Sequence, residues 1–159
     1  MDALICRIDL LTGELDAADA WYRESAPRDP IRLNVMKRYQ YFTQAMVELA
    51  DGRPDAALLT LAPLEPYCRT CARHIDGIHL NTLRAVALFR KGDEGWRAAL
   101  TAALAEAEEY QFIRTVSGYG AAVLPLLEDL PWPGDSAWFK RLVADTRAQA
   151  ACYPAILQP

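Results

Sequence analysis

Cys68-Arg69-Thr70-Cys71-Ala72-Arg73-His74 is the stretch of this chain whose residue types and spacing look most like chemistry. Two thiols three positions apart, with an imidazole three further on, fall on adjacent turns of a helix. Thiolate and imidazole together are a soft ligand set that suits zinc. Cys68, Cys71 and His74 make three ligands, and the nearest candidate for a fourth is His79. Strong zinc signatures carry two ligand pairs, and this segment has one pair and a half. It also falls at the end of an expected helix, where small residues and a histidine near the carbonyl end have ordinary uses. The expectation is therefore packing at a junction between helices, with no metal and no cofactor in this segment.

Other catalytic patterns are missing. There is no glycine-rich phosphate loop, no G-x-S-x-G and no H-E-x-x-H. Glu106, Glu108 and Glu109 read as a solvated helix face. Trp21, Trp96 and Trp138 read as gap fillers between helices, and Trp132, between two prolines, as a loop anchor. No enzyme is expected.

The elements that position these residues are helices. In YQYFTQAMVELADGRPDAALLTLAPLEPYC, from Tyr39 to Cys68, the residues Phe42, Ala45, Met46 and Leu49 follow one face of a 3.6-residue period. Gly52 stands where a left-handed residue ends a helix, and Pro54 suits the first turn of the next. Ala56, Ala57 and Ala62 keep one side of that second helix thin. Copies of the hairpin flank it, LLTGELDAADAWY around Gly13 and LFRKGDEGWRAALTAAL around Gly92, at spacings of 39 and 40 residues. A fixed period in this range marks a solenoid, because one helix pair cannot bury its own apolar face. In the third copy Trp96 and Arg97 replace the alanine pair, which predicts a shifted or wider helix crossing.

Along the chain the spacing predicts about eight helices. They cover residues 2–12, 14–25, 30–51 (capped by Asp29-Pro30), 54–68, 74–91, 93–110, 112–128 and a last one capped by Asp135 or Ser136. Pro125 predicts a kink or early stop near Ala121, and Gly118 with Gly120 a bend or a close approach. The tail from Tyr153 to Pro159 is not helical. No segment alternates with a strand period. The fold class is all-α, a right-handed superhelical solenoid of antiparallel, TPR-like helix pairs over residues 1–130. A capping helix and linker follow over 131–159.

At 159 residues, 52% apolar and 24% charged, the chain has the size and balance of one ordinary globular domain. A net charge of −4 argues against direct contact with nucleic acid, and no apolar run suits a membrane span. Met1-Asp2 opens without the basic and apolar regions of a signal peptide. Four cysteines in a helical repeat are expected to stay reduced, in the cytoplasm.

Stacked helix pairs curve, with the first helix of each pair on the hollow side. Aligning Gly52 with Gly92 pairs Tyr39 with His79, Phe42 with Thr82, Met46 with Val86 and Leu49 with Phe89. A groove of Tyr39, Phe42, Met46, His79, Thr82, Val86 and Phe89 suits an amphipathic ligand or a helix. A neighbouring domain or the last helix could equally fill it.

YQYFTQAMVELADGRPDAALLTLAPL, LNTLRAVALFRKGDEGWRAAL and EYQFIRTVSGYGAAVLPLLEDL together resemble the helical-repeat sensor region of MalT-like, ATP-dependent LuxR-type transcription activators. In the last stretch Arg114 and Gly120 match the family, while Val116 replaces its aromatic and Gly118 its acid. The tail AACYPAILQP resembles the run into the family's helix-turn-helix. The resemblance implies a parent with a nucleotide-binding switch domain and a DNA-binding domain, neither of which lies in this chain. It implies a small-molecule or protein inducer, contacts with the parent's other domains and possible self-association. The other reading is a free-standing TPR-like scaffold for protein partners. A helix-turn-helix coded after Pro159 separates the first from the second.

Overall fold

The computed structural model describes residues 3–28 and 35–158. Its helices are α1 (Ala3–Thr12), α2 (Leu15–Ser25), α3 (Arg38–Ala50, entered through a 3-10 turn at Val35–Lys37), α4 (Pro54–Leu61) and α5 (Leu64–Thr70). They continue with α6 (His74–Arg90), α7 (Trp96–Glu109), α8 (Arg114–Ser117), α9 (Gly120–Asp129) and α10 (Ser136–Cys152). No strand occurs among the described residues, and no helix there is long and apolar enough to cross a membrane. The expected helix start at Asp29-Pro30 lies outside the described residues.

Among the described residues ten helices replace about eight, because two expected helices are broken. The first breaks at Ala62-Pro63, between α4 and α5. The second breaks at Gly118-Tyr119, between α8 and α9, whereas α9 runs on through Pro125 to Asp129, so the early stop expected near Ala121 does not occur. Gly120, at φ +41°, lies against the backbone of α10, where an added Cβ would sit 3.2 Å from the Ala150 nitrogen. Both the bend and the close approach expected of this glycine pair are present.

The turns share one hydrogen-bond pattern. Gly52 is left-handed at φ 69°; its N–H reaches the Leu49 carbonyl at 3.0 Å, and that of Arg53 reaches Glu48 at 2.8 Å. These are the two bonds of a Schellman cap. Gly92 repeats both bonds, and the longer one recurs after Gly13. Both bonds close α7 through Gln111 (φ 56°), and the Arg73 N–H to Cys68 carbonyl bond closes α5 through Ala72 (φ 47°), neither a glycine. Gly52, Ala72 and Gly92 are thus spaced by 20 residues, the half-repeat of the solenoid. A left-handed Cβ costs on the order of 1 kcal/mol. Ala72→Gly is therefore expected to stabilise the chain by about 0.5 to 1 kcal/mol in urea unfolding, net of the glycine's extra freedom when unfolded. An unchanged or lower midpoint contradicts that strain.

Helices pack as pairs: α1 with α2, α3 with α4, α6 with α7, and α8–α9 with α10. The first members α1, α3, α6 and α8 also touch in sequence, which stacks the pairs side by side. Ala57 is fully buried at the centre of this stack, whereas Ala56 is half-buried and Ala62 is exposed at the α4–α5 break. Only one of the three expected thin positions therefore serves the contact. In the third pair Trp96 is buried, packing edge-on against Phe89 at 5.5 Å, while Leu100, Ala103, Leu104 and Ala107 form the buried side of α7. An ion cluster ties neighbouring pairs. Asp76, buried in the first turn of α6, lies 2.9 Å from Arg73 and 3.2 Å from Arg38 of α3.

Asp135 caps α10, accepting the Ala137 N–H at 2.8 Å. Trp138, Leu142 and Thr146 then seat α10 against α8 and α9. Beyond α10 the chain is non-helical, as expected, but it is docked. Ile156 and Leu157 are buried, Ala155 lies against Gly13, and Arg90 donates to the carbonyls of Leu49 and Leu157.

Candidate functional site

A cavity of about 470 Å³ lies between the first helices α1, α3, α6 and α8 and the C-terminal tail. One wall is apolar, from Leu4, Ile8 and Leu11 of α1, Met46 of α3 and Ile156 of the tail. The polar groups are Arg7, His79, Arg114, Thr115 and Tyr119. Consecutive first helices present these faces because each pairs with the next. Ile156 reaches the cavity because Arg90 and the buried Leu157 hold the tail down.

Of the residues expected in the groove, Met46 and His79 line it. Tyr39 is exposed beneath the Arg38 guanidinium, 4.7 Å above its ring, and is not among the lining residues. Phe42, Thr82 and Val86 are closed into the core, with the Phe42 ring 5.9 Å from His79. Phe89 is partly exposed but packs on Trp96, away from the cavity. The residues that sequence reasoning missed come from α1, α8 and the tail. In α1, Leu4 and Ile8 line the groove and are more than half exposed, so part of that helix's apolar face is a groove wall.

His79 is the polar centre of the site. Its Nδ1 lies 2.8 Å from the Tyr119 hydroxyl, with the rings edge to face. Burial lowers its pKa from 6.5 to about 4; nearby Arg7 adds to this and Asp76 opposes it. Burial likewise pushes the Tyr119 phenol up to about 12. The pair is therefore neutral across the physiological range, and the imidazole can accept the phenol proton. A ring kept neutral in the folded chain but free to charge when unfolded favours unfolding as pH falls below about 6.5. The loss grows until pH passes about 4, where the folded ring also protonates. His79→Gln is expected to remove on the order of 2 kcal/mol of destabilisation between pH 7 and pH 4. Equal acid sensitivity in both proteins, measured by urea unfolding at a series of pH values, would assign that sensitivity elsewhere.

The Cys68, Cys71 and His74 segment does not converge. Cys68 is buried and its thiol pKa is raised to about 11, chiefly by burial; Cys71 is exposed. Both nitrogens of His74 are engaged, Nδ1 by Glu106 at 2.6 Å and Nε2 by the Tyr110 hydroxyl at 3.2 Å. Among the described residues no three His, Cys, Asp or Glu side chains are placed to hold a metal ion. The correction to the zinc geometry is local: α5 ends at Thr70 and the left-handed Ala72 turns the chain, so His74 begins a different helix.

Helix pairs stacked side by side fit a TPR-like repeat, and residues 2–131 match the family described as MalT-like TPR region. The chain belongs to that family. No curated protein and no solved structure matches it. The match to the MalT-like TPR region takes in every helix up to α9 and ends just before α10. The groove wall from α1 to Tyr119 is therefore family sequence, whereas Ile156, which closes the groove, lies beyond the match.

Proposed function

We propose that the chain is the signal-receiving region of a LuxR-type transcription regulator, and that an effector binds in the groove between the first helices and the tail. The observation that carries this reading is the docked tail. The groove is open with Ile156 already forming one of its walls, so a ligand there touches the segment that leaves the repeat. A ligand can shift an equilibrium only by its differential affinity for the two states. Contact with Ile156 supplies that difference, favouring the docked tail over a released one. The expected effector has an apolar body along Ile8, Leu11 and Met46 and a polar or anionic group toward Arg7, His79 and Tyr119. DNA contact is left to another domain, in keeping with the net charge of −4.

The test is a thermal-shift screen of small metabolites against the wild-type chain and Ile8→Asp, a change at an exposed position of the groove wall. Compounds of this class should raise the melting temperature of the wild type only and slow hydrogen exchange at Ile156 and Leu157. Stabilising compounds that are indifferent to Ile8→Asp, or that leave tail exchange unchanged, remove the groove assignment. A second reading, a scaffold for a partner helix, is favoured by the exposure of Leu4 and Ile8 on the same wall. It predicts capture of an amphipathic peptide with no change at the tail.

A further inference from the structure

A second cavity, of about 520 Å³, lies where the end of α2 meets α3 and the α4–α5 break. It is on the other side of α3 from the groove. Glu48 lines this cavity and Met46 lines the groove, and two residues along a helix turn through about 200°.

Glu48 is 2% exposed. Its Oε1 accepts from the Tyr22 hydroxyl at 2.9 Å and from Gln44 Nε2 at 3.1 Å. Its Oε2 is buried without a hydrogen-bond partner, and so is Gln44 Oε1. The amide orientation of Gln44 follows from this network, because its nitrogen donates to a carboxylate that only accepts. Two unmet acceptors thus belong to side chains that line one cavity. A buried acceptor left empty is costly, and buried polar groups in folded chains are nearly always matched. The nearby cations are committed elsewhere. Arg53 bonds Asp51 at 2.6 Å and the Tyr22 hydroxyl at 3.2 Å; of the two arginines that line the cavity, Arg23 pairs with Asp19 at 2.8 Å and Arg28 donates to the Arg23 carbonyl. The cavity rim is apolar, with Ala56, Pro63 and the largely exposed Leu59.

We propose that this cavity binds a small organic cation, a primary ammonium on a short apolar body, with its N–H groups donating to Glu48 Oε2 and Gln44 Oε1. An ammonium has several donors and carries the charge that opposes Glu48, so it can meet both acceptors at once, which a hydroxyl with one proton or an anion with none cannot. The volume is in the usual range for a small-molecule site, and the apolar rim takes the hydrocarbon part. The site is separate from the groove and does not depend on the function proposed for it.

The probes are n-butylammonium and phenethylammonium, with n-butanol as the neutral control, each titrated into the whole chain and followed by amide NMR shifts. Saturable shifts at Gln44, Glu48 and Thr60 with both ammonium ions, and none with the alcohol, are expected. Glu48→Gln keeps the side-chain shape and should weaken ammonium binding by about tenfold or more, with Ile8→Asp binding as the wild type does. Leu59→Lys, at an exposed rim position, should weaken it by placing a like charge at the mouth, and it decides the matter if Glu48→Gln does not fold. Absence of saturable shifts, equal response to butanol, or unchanged affinity in the decisive variant overturns the proposal and leaves an ordered water as the occupant of the cavity.

Discussion

Replacing Ala57 with Trp is expected to abolish cooperative folding at ordinary temperature. Ala57 is fully buried on α4, a helix that packs on both α3 and α6, so its methyl lies where two helix pairs meet. An indole needs room that a close-packed interior does not have, and the helices must separate to admit it. Overpacking by even a few methylenes costs about 1 to 3 kcal/mol, and this change adds far more volume. The expected cost exceeds about 3 kcal/mol, a large part of the roughly 5 to 15 kcal/mol that a domain has in hand. Ala62→Trp is the internal control. It lies in the same segment but is exposed, and its effect should stay within about 0.5 kcal/mol. Circular-dichroism melts of the two proteins make the comparison, and near-normal melting of Ala57→Trp would contradict the packing of the central pair.

Trp138→Ala has the next largest expected effect, about 3 to 5 kcal/mol. The ring is completely buried where α10 sits on α8 and α9, with the Trp132 ring 6.4 Å away. Its removal leaves a cavity that these short helices can only partly close. Because α10 leads into the tail, the same variant should also release Ile156 and Leu157, read as faster amide exchange at both. Trp138→Phe should cost much less. It keeps most of the ring and removes an Nε1–H that is buried without an acceptor. Equal losses from Ala and Phe would mean that the indole nitrogen, rather than the ring, holds α10 in place.

The repeat was legible where its signals are local. The turn at Gly52 depends on residues 48–53 alone, and the same is true at Gly13 and Gly92, so the period could be read directly from the glycines. The half-repeat turns were legible only as helix ends, between 68 and 74 and between 110 and 112, because Ala72 and Gln111 take the left-handed role without the glycine that marks such a cap. The zinc-like spacing of Cys68, Cys71 and His74 puts them on adjacent turns only if one helix runs through Ala72, and the left-handed turn there separates them. Glu48 left a faint trace, an acid inside the apolar run Met46–Ala50, but nothing nearby in sequence says that it borders a cavity.

The amino-acid order by itself determined that this chain is helical, that its helices come in pairs about 40 residues apart, and that the pairs stack. Each of those features rests on contacts within a turn or two of the chain, or on a period repeated along it. Which side chains line the groove was decided only in three dimensions. Leu4, Met46, His79, Tyr119 and Ile156 are brought together there from five separate segments. Their meeting depends on how far each helix is rotated against the next and on where the tail docks. Packing across many residues sets those rotations, and no short stretch of sequence records them.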